Sequence, residues 1–561
     1  MKLTRATTLV PLLAGAALAL GLHPLACARS ASPPVPSASE SDAPVLLERL
    51  GSLHHPISTR DPLAQRYFDQ GLSLTFGFNH EAAVRAFEYA EHLDPRCAMC
   101  AWGSALALGP NINAPMGPDA AARAFEAIAR ARALAAAGHA SPRERAYIAA
   151  LATRYAADAP SERAHLDRAF AEAMRELHRA DPDDLDAAVL LAEALMDLSP
   201  WSYWTPDAQP REHTEEVLAL LEGVLERDPA HVGANHYLIH ALEEHFPERA
   251  VPAAERLGQL APDAGHLVHM PAHIFWRVGR YDDALEINRR AIAADESYFA
   301  WCRPGAFYRA AYYPHNIHFL WAAATAQGRS DIALSSASKL AAATRDRLAE
   351  FEFLEEFIAI PSFTLARFGR WDAILGLPLP DPAHVYLTGV WHYTRGLARL
   401  RLGEPARARE QLGELVRTAA DPRAESLRLA GGTASAAQLL AIAAAHLEGE
   451  IAAVDGRAAL ALGSLEAAVD LQDQLSYMEP PPFYFPVRQA LAAVLLDLGR
   501  AQDAETVYRR DLEQYPANGW SLFGLAQSLE AQGRSEEAGW AREGFRNAFA
   551  RADVELERSR F

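Results

Sequence analysis

Three sets of histidines crowd one stretch of the chain, and their spacing is helical. His236, His240 and Glu243 fall at i, i+4 and i+7; His266, His269 and His273 at i, i+3 and i+7; His315 and His318 at i and i+3. On an α-helix each spacing gathers its side chains on one face. Imidazole and carboxylate at one-turn intervals are donors that a transition-metal ion takes from a helix. With His54, His55 and His80 as outlying candidates, the ligands outnumber what one ion accepts, so two or more ions are expected. Imidazole-rich ligation in an oxidising compartment suits copper first, then zinc or iron. Two other readings stand beside this one. The histidines can line a polar groove for an anionic or aromatic ligand, or form a surface that titrates between about pH 5 and 8.

A second constellation lies nearer the N-terminus. Cys97-Ala-Met-Cys100 reads as a disulfide or redox pair, with soft-metal binding beside Met99 as the alternative. No histidine follows Cys100, which argues against covalent haem, and the chain's four cysteines hold no second Cys-x-x-Cys for a four-cysteine zinc site. Cys302 has no evident partner. Phosphate-binding loops, Gly-x-Ser-x-Gly and His-Glu-x-x-His are absent, so no catalytic residue is assigned. The leading reading is a metal-dependent oxidoreductase acting in a groove walled by Tyr237, Trp276, Trp301, Tyr312 and Tyr313. The alternative is a non-catalytic scaffold whose groove binds peptides or partner proteins of an envelope complex.

These residues need helices to position them, and the sequence supplies helices in pairs. Apolar residues recur at helical spacing from Ala64 onward, with almost no strand alternation. Gly279-Arg-Tyr-Asp-Asp-Ala284 has relatives beginning at Gly328, Gly369, Gly499 and Gly533. Glycine ends one helix, and the small alanine lets the next approach. Gly499 and Gly533 are 34 residues apart, as are Gly369 and Gly403, which is the tetratricopeptide (TPR) period. The expected fold is all-α, a TPR-like superhelix or α-solenoid. In that register His266, His269 and His273 take positions 2, 5 and 9 of a first helix. His315 and His318 take positions 2 and 5 of the next, so both sets should line one concave groove. Trp201–Pro210 and Ser297–Pro314 are insertions, of the kind that often carries function on a repeat array.

Several strings together resemble a known family: His54-His55-Pro, Phe78-Asn-His-Glu, Cys97-Ala-Met-Cys-Ala-Trp-Gly, Gly109-Pro-Asn-Ile-Asn, His236-Tyr-x-Ile-His, Gly265-His-Leu-Val-His-Met-Pro-x-His and Tyr313-Pro-His-Asn-x-His. They are similar to exported bacterial TPR proteins with histidine-rich and Cys-x-x-Cys motifs, some labelled as components of TonB-type uptake systems. The resemblance covers about residues 50–330. It implies the helical-repeat fold and an envelope location, and it carries no reaction.

The N-terminus fits export. Lys2 and Arg5 precede an apolar run from Leu9 to Leu22. Ala26-Cys27-Ala28 suits signal peptidase, and Leu25-Ala26-Cys27 suits lipid attachment at Cys27, although Pro24 departs from that pattern. The chain is expected to divide into a signal peptide (1–28), a Ser/Pro tether (29–50), a histidine-rich domain with the metal site (51–330), a helical-repeat middle region (331–480) and C-terminal repeats (481–561). The expected location is the periplasm or cell envelope, with membrane contact only through the lipid anchor. A formal charge of −19 argues against nucleic acid as a partner. Half the residues are hydrophobic, which excludes wholesale disorder.

Overall fold

The computed structural model describes residues 43–561 apart from 159–161 and 303, so the signal region and Cys27 fall outside it. From Pro44 to Phe561 the chain forms one compact unit. Its first residues are already docked. The Tyr67 hydroxyl donates to the Pro44 carbonyl (2.7 Å), and the Gln70 amide exchanges hydrogen bonds with Val45 O (3.0 Å) and Leu47 N (2.8 Å).

Local chemistry sets the helix ends. Pro62–Phe76 starts at a proline whose missing N–H costs nothing there, and Asp61 caps it by accepting from the Leu63 and Ala64 N–H groups. Pro142–Ala152 opens on a capping box made by Ser141 and Glu144. The turns inside the pairs share one device. After Pro271–Arg277, Gly279 takes a left-handed φ of 76°, and the Arg280 N–H reaches back to Phe275 O at 2.7 Å. That closes the helix's orphan carbonyls before Tyr281–Trp301 begins. Gly328, Gly369, Gly499 and Gly533 do the same, as the sequence motif requires, and so do Gly403 and Gly456.

Helix follows helix in antiparallel pairs across the array, 27 among the described residues, with one two-stranded ladder of two residues each at Arg428–Leu429 and Ala434–Ser435. The fold is an all-α, TPR-like helical-repeat solenoid. Ala284, Ala333 and Ala504, each at the small position after a turn glycine, are fully buried where paired helices meet. By length and composition Ala436–Val454 could cross a membrane, but more than half of its 18-residue window is buried in the fold.

The last residues turn back over the array. Asp553 accepts from the Ser330 and Asp331 N–H groups at 2.6 and 3.0 Å. Ser559 is buried against Tyr508 and Gln489, Arg560 pairs with the buried Glu450, and Arg401 donates to the Phe561 carbonyl at 3.0 Å. An irregular segment thus lies docked on the array.

Candidate metal centre

Four helices bring the histidines together. His236 and His240 stand on Val232–Leu242, with Glu243 as its C-cap. His266 and His269 stand on Gly265–His269. His273 is on Pro271–Arg277, set off by Pro271, which has no N–H to continue the ladder. His315 is on Tyr312–Ala326. Two trios result, His236–His240–His266 and His269–His273–His315, and within each the ligand atoms lie within 4.8 Å of one another. A tetrahedral ion with bonds of about 2.0–2.1 Å needs its donors roughly 3.4 Å apart, so each trio is close to a ligand set.

Hydrogen bonds orient the rings. His236 Nδ1 donates to the Phe76 carbonyl at 2.6 Å, satisfying an orphan acceptor at the end of Pro62–Phe76. His240 Nδ1 donates to Glu243 Oε1 at 3.0 Å. Both rings therefore point Nε2 lone pairs inward, and the two Nε2 atoms face each other at 3.0 Å. The second trio repeats the pattern. His269 Nδ1 donates to Asn288 Oδ1 at 2.7 Å, and Asn288 is itself held by donating to Ala284 O at 2.7 Å. His269 Nε2 then faces His273 Nε2 at 3.0 Å, with His315 Nε2 3.5 Å from His273 Nε2. Lone pairs at that distance repel until a proton or metal cation sits between them. Outer partners that hold Nδ1 and leave Nε2 free are the usual second shell of a metal-bound imidazole. Among the described residues neither nitrogen of His266 has a hydrogen-bond partner, although the residue is buried. An orphan of that kind costs about 1–3 kcal/mol, which a bound cation would offset.

The electrostatics keep most of the cluster neutral. Burial, then neighbouring imidazoles, hold His236, His266, His269 and His315 well below the usual histidine range. His273 differs. Burial would lower it, but the Glu243 and Glu479 carboxylates hold it up at about 10. Its Nδ1 stands 2.9 Å from Glu243 Oε2 and 3.2 Å from Glu479 Oε2. Glu243, His273 and Glu479 form a third set of donors within 4.8 Å of one another.

Sequence reasoning and geometry part company in places. His318 does not join the trios; it packs among Trp321, Phe357 and Tyr484 at centroid distances of 5.2–5.5 Å. One helical turn beyond His315, it faces the next pair rather than the cluster. His54 pairs with Asp69 on the surface, and His55 is bound to Asp186, which also holds His231. His80 lies beside Asn111. Each is engaged by a partner of its own, and none belongs to a metal-ligand group. The open groove is corrected too: His236 and His269 are fully buried. Trp301, expected in its wall, is 77% exposed. Cys97 and Cys100 form a buried disulfide that opens the helix Ala98–Ala107, which leaves no thiolate for a soft metal.

Three partners were not foreseen. Glu479 comes from the Pro-rich connector of the C-terminal half, Asn288 from a helix face with no motif, and Phe78 from the first turn. Phe78 and Trp201 both carry left-handed φ values, 55° and 61°, a conformation costing about 1–3 kcal/mol for a side chain of this size. Both rings lie against the first trio. Phe78 is 4.6 Å from His236 and 5.6 Å from His266, and Trp201 is 5.1 Å from His240. The forward signals were the Trp201–Pro210 insertion and the Phe78-Asn-His-Glu string, neither of which pointed to contact with the histidines.

No family model and no curated protein matches the chain. Among solved structures it is similar to the human IFIT1 dimer with m7Gppp-AAAA at 11% identity, over 88% of this chain and 91% of that one, with a TM-score of 0.32. It is similar to Naa15/Naa10 bound to HypK-THB at 13% identity, over 88% and 90%, with a TM-score of 0.24. It is similar to yeast Tom70 at 12% identity, over 86% and 89%, with a TM-score of 0.28. At these scores the likeness carries nothing about ligands or partners.

Proposed function

We propose that this chain is an exported bacterial metalloprotein in which the two histidine trios hold a pair of transition-metal ions, copper first, for the oxidation of a small substrate. One observation carries the reading: the Nδ1 atoms of His236, His240 and His269 are tied to Phe76, Glu243 and Asn288, while a pair of Nε2 atoms in each trio converges at 3.0 Å. His236, His240 and His266 would hold one ion, and His269, His273 and His315 the other. Glu243, between His240 and His273, would orient a ligand of each. Phe78, Tyr312 and Phe319 pack on the rings and keep water away. Two redox ions held by the trios would supply paired one-electron steps. Copper is favoured by imidazole-only trios, by the order of divalent affinities and by an oxidising location, which the buried disulfide and the signal-like N-terminus support.

Elemental analysis of tag-free protein after mild dialysis tests this. About two equivalents of copper are expected. Zinc or iron in that amount would change the ion and keep the site. Metal-free protein that takes up none of the three would end the proposal.

A scaffold role is the second reading, and the docked tail favours it, because that surface already holds a non-helical segment of chain. Binding of a synthetic 551–561 peptide by protein truncated after residue 550 would support it.

A further inference from the structure

A cleft of about 650 Å³ opens beside the first trio, and no role has yet been given to it. Its wall toward the first trio includes Phe78 and Tyr312, which also pack on His266 at 5.6 and 4.7 Å between ring centroids. Phe78 is the residue that makes this more than a gap. It occupies the turn position that is glycine at Gly279, Gly328, Gly369, Gly403, Gly456, Gly499 and Gly533, with the same closing bond, here Asn79 N to Leu74 O at 2.9 Å. The turn needs a left-handed residue, and glycine supplies one without strain. A phenylalanine there is strained where glycine is not, and its buried ring packs on Tyr237 and stands between the cleft and three imidazoles.

The lining states what the cleft suits. Phe78, Phe307, Tyr308 and Tyr312 offer ring faces and edges, and His80 and Asn111 offer neutral hydrogen-bonding groups. Burial, with Arg154 nearby, holds His80 down at about 4, so it carries no charge at neutral pH. Arg123 pairs with Glu88 at 3.1 Å, and the other charged lining residues, Glu81, Arg85 and Asp119, leave a slight acidic excess that disfavours an anionic ligand. Its volume is that of an ordinary small-molecule site.

We infer that this cleft is the substrate site of the metal centre and takes a small, uncharged, hydroxylated aromatic, with the Phe78 ring as the partition between ligand and ions. This rests on the proposed metal centre for its role, but the cleft can be tested without metal. The probe is 4-fluorophenol, followed by fluorine NMR on the full chain. Metal-free protein should broaden its signal saturably. Ala120→Trp, on a half-buried helical position of the cleft wall, should weaken binding at least tenfold and leave metal uptake unchanged. In Co(II)-loaded protein the bound fluorine should relax faster than in Zn(II)-loaded protein, and faster still in Phe78→Gly. No saturable binding, binding indifferent to Ala120→Trp, or equal relaxation with the two metals would overturn the inference. Failure to load either metal would instead sink the metal centre, while the metal-free titration still decides whether the cleft is a binding site.

Discussion

Glu243 Oε2 stands 2.9 Å from His273 Nδ1, and its other oxygen accepts from His240 Nδ1 at 3.0 Å, so one buried carboxylate touches a histidine of each trio. A single substitution should therefore disturb both sites. In Glu243→Gln the shape is kept and the charge is lost. Losing an outer partner of this type lowers metal affinity about 10–100-fold. We expect that weakening at both ions, read by competition with a chelator. A loss confined to one ion would show that the trios are not coupled through Glu243.

How much of this the sequence carried differs from residue to residue. The fold was legible because the turn glycines impose their own conformation: Gly279 and its counterparts need a left-handed φ whatever surrounds them. Most of the ligands were legible because i, i+4 and i+3 spacings keep side chains on one face. Burial was not, since position 5 of a repeat reads alike in an open groove and in a closed one. Glu479 lies 206 residues beyond His273, and nothing local marks it as a neighbour. Phe78 stood out as part of a motif, but its role did not, because its anomaly is a φ angle.

His315 is the only trio histidine that is not fully buried, which makes it the safest ligand to remove. His315→Ala should lower the metal content from two equivalents to one and leave the helical signal intact. Retention of two equivalents would place the second ion elsewhere, with the Glu243–His273–Glu479 set as the next candidate.

Ala504 separates scaffold from site. It is fully buried after the Gly499 turn, far along the chain from any histidine set. Ala504→Leu forces extra methylenes between paired helices and should destabilise by roughly 1–3 kcal/mol in urea, with metal content unchanged. Loss of metal at native helicity would mean that the C-terminal pairs set the site's geometry, with Glu479 as the link.

The docked tail depends on a buried charge. Glu450 is 1% exposed and pairs with Arg401 at 2.8 Å and with Arg560. Burial would raise its carboxyl, but those two guanidinium groups hold it down at about 2, so it is charged at every ordinary pH. Removing one partner of such a buried pair costs about 3–5 kcal/mol, because the remaining charges stay uncompensated. Glu450→Ala should release the tail, and trypsin should then cut at Arg558 and Arg560 in otherwise folded protein. Unchanged resistance would show that Asp553 and Ser559 hold the tail alone.

Glu356 gives a pH dependence of opposite sign to an ordinary ion pair. It is buried, and although its Oε2 accepts from the Ala430 N–H at 2.6 Å, burial raises it to about 7. The folded protein therefore holds a proton that the unfolded chain, with a carboxyl near 4.3, gives up. Folded protein binds more protons throughout that interval, so this residue's contribution is most favourable below about pH 4.3 and declines as pH rises to about 7, where it levels off. Glu356→Gln keeps an oxygen for Ala430 and removes the ionisation. The variant should match wild type near pH 4.5 and exceed its stability by roughly 2–3 kcal/mol at pH 8, measured by urea unfolding at both values. An equal difference at the two pH values would mean that Glu356 reaches water in the native state and is not held protonated by burial.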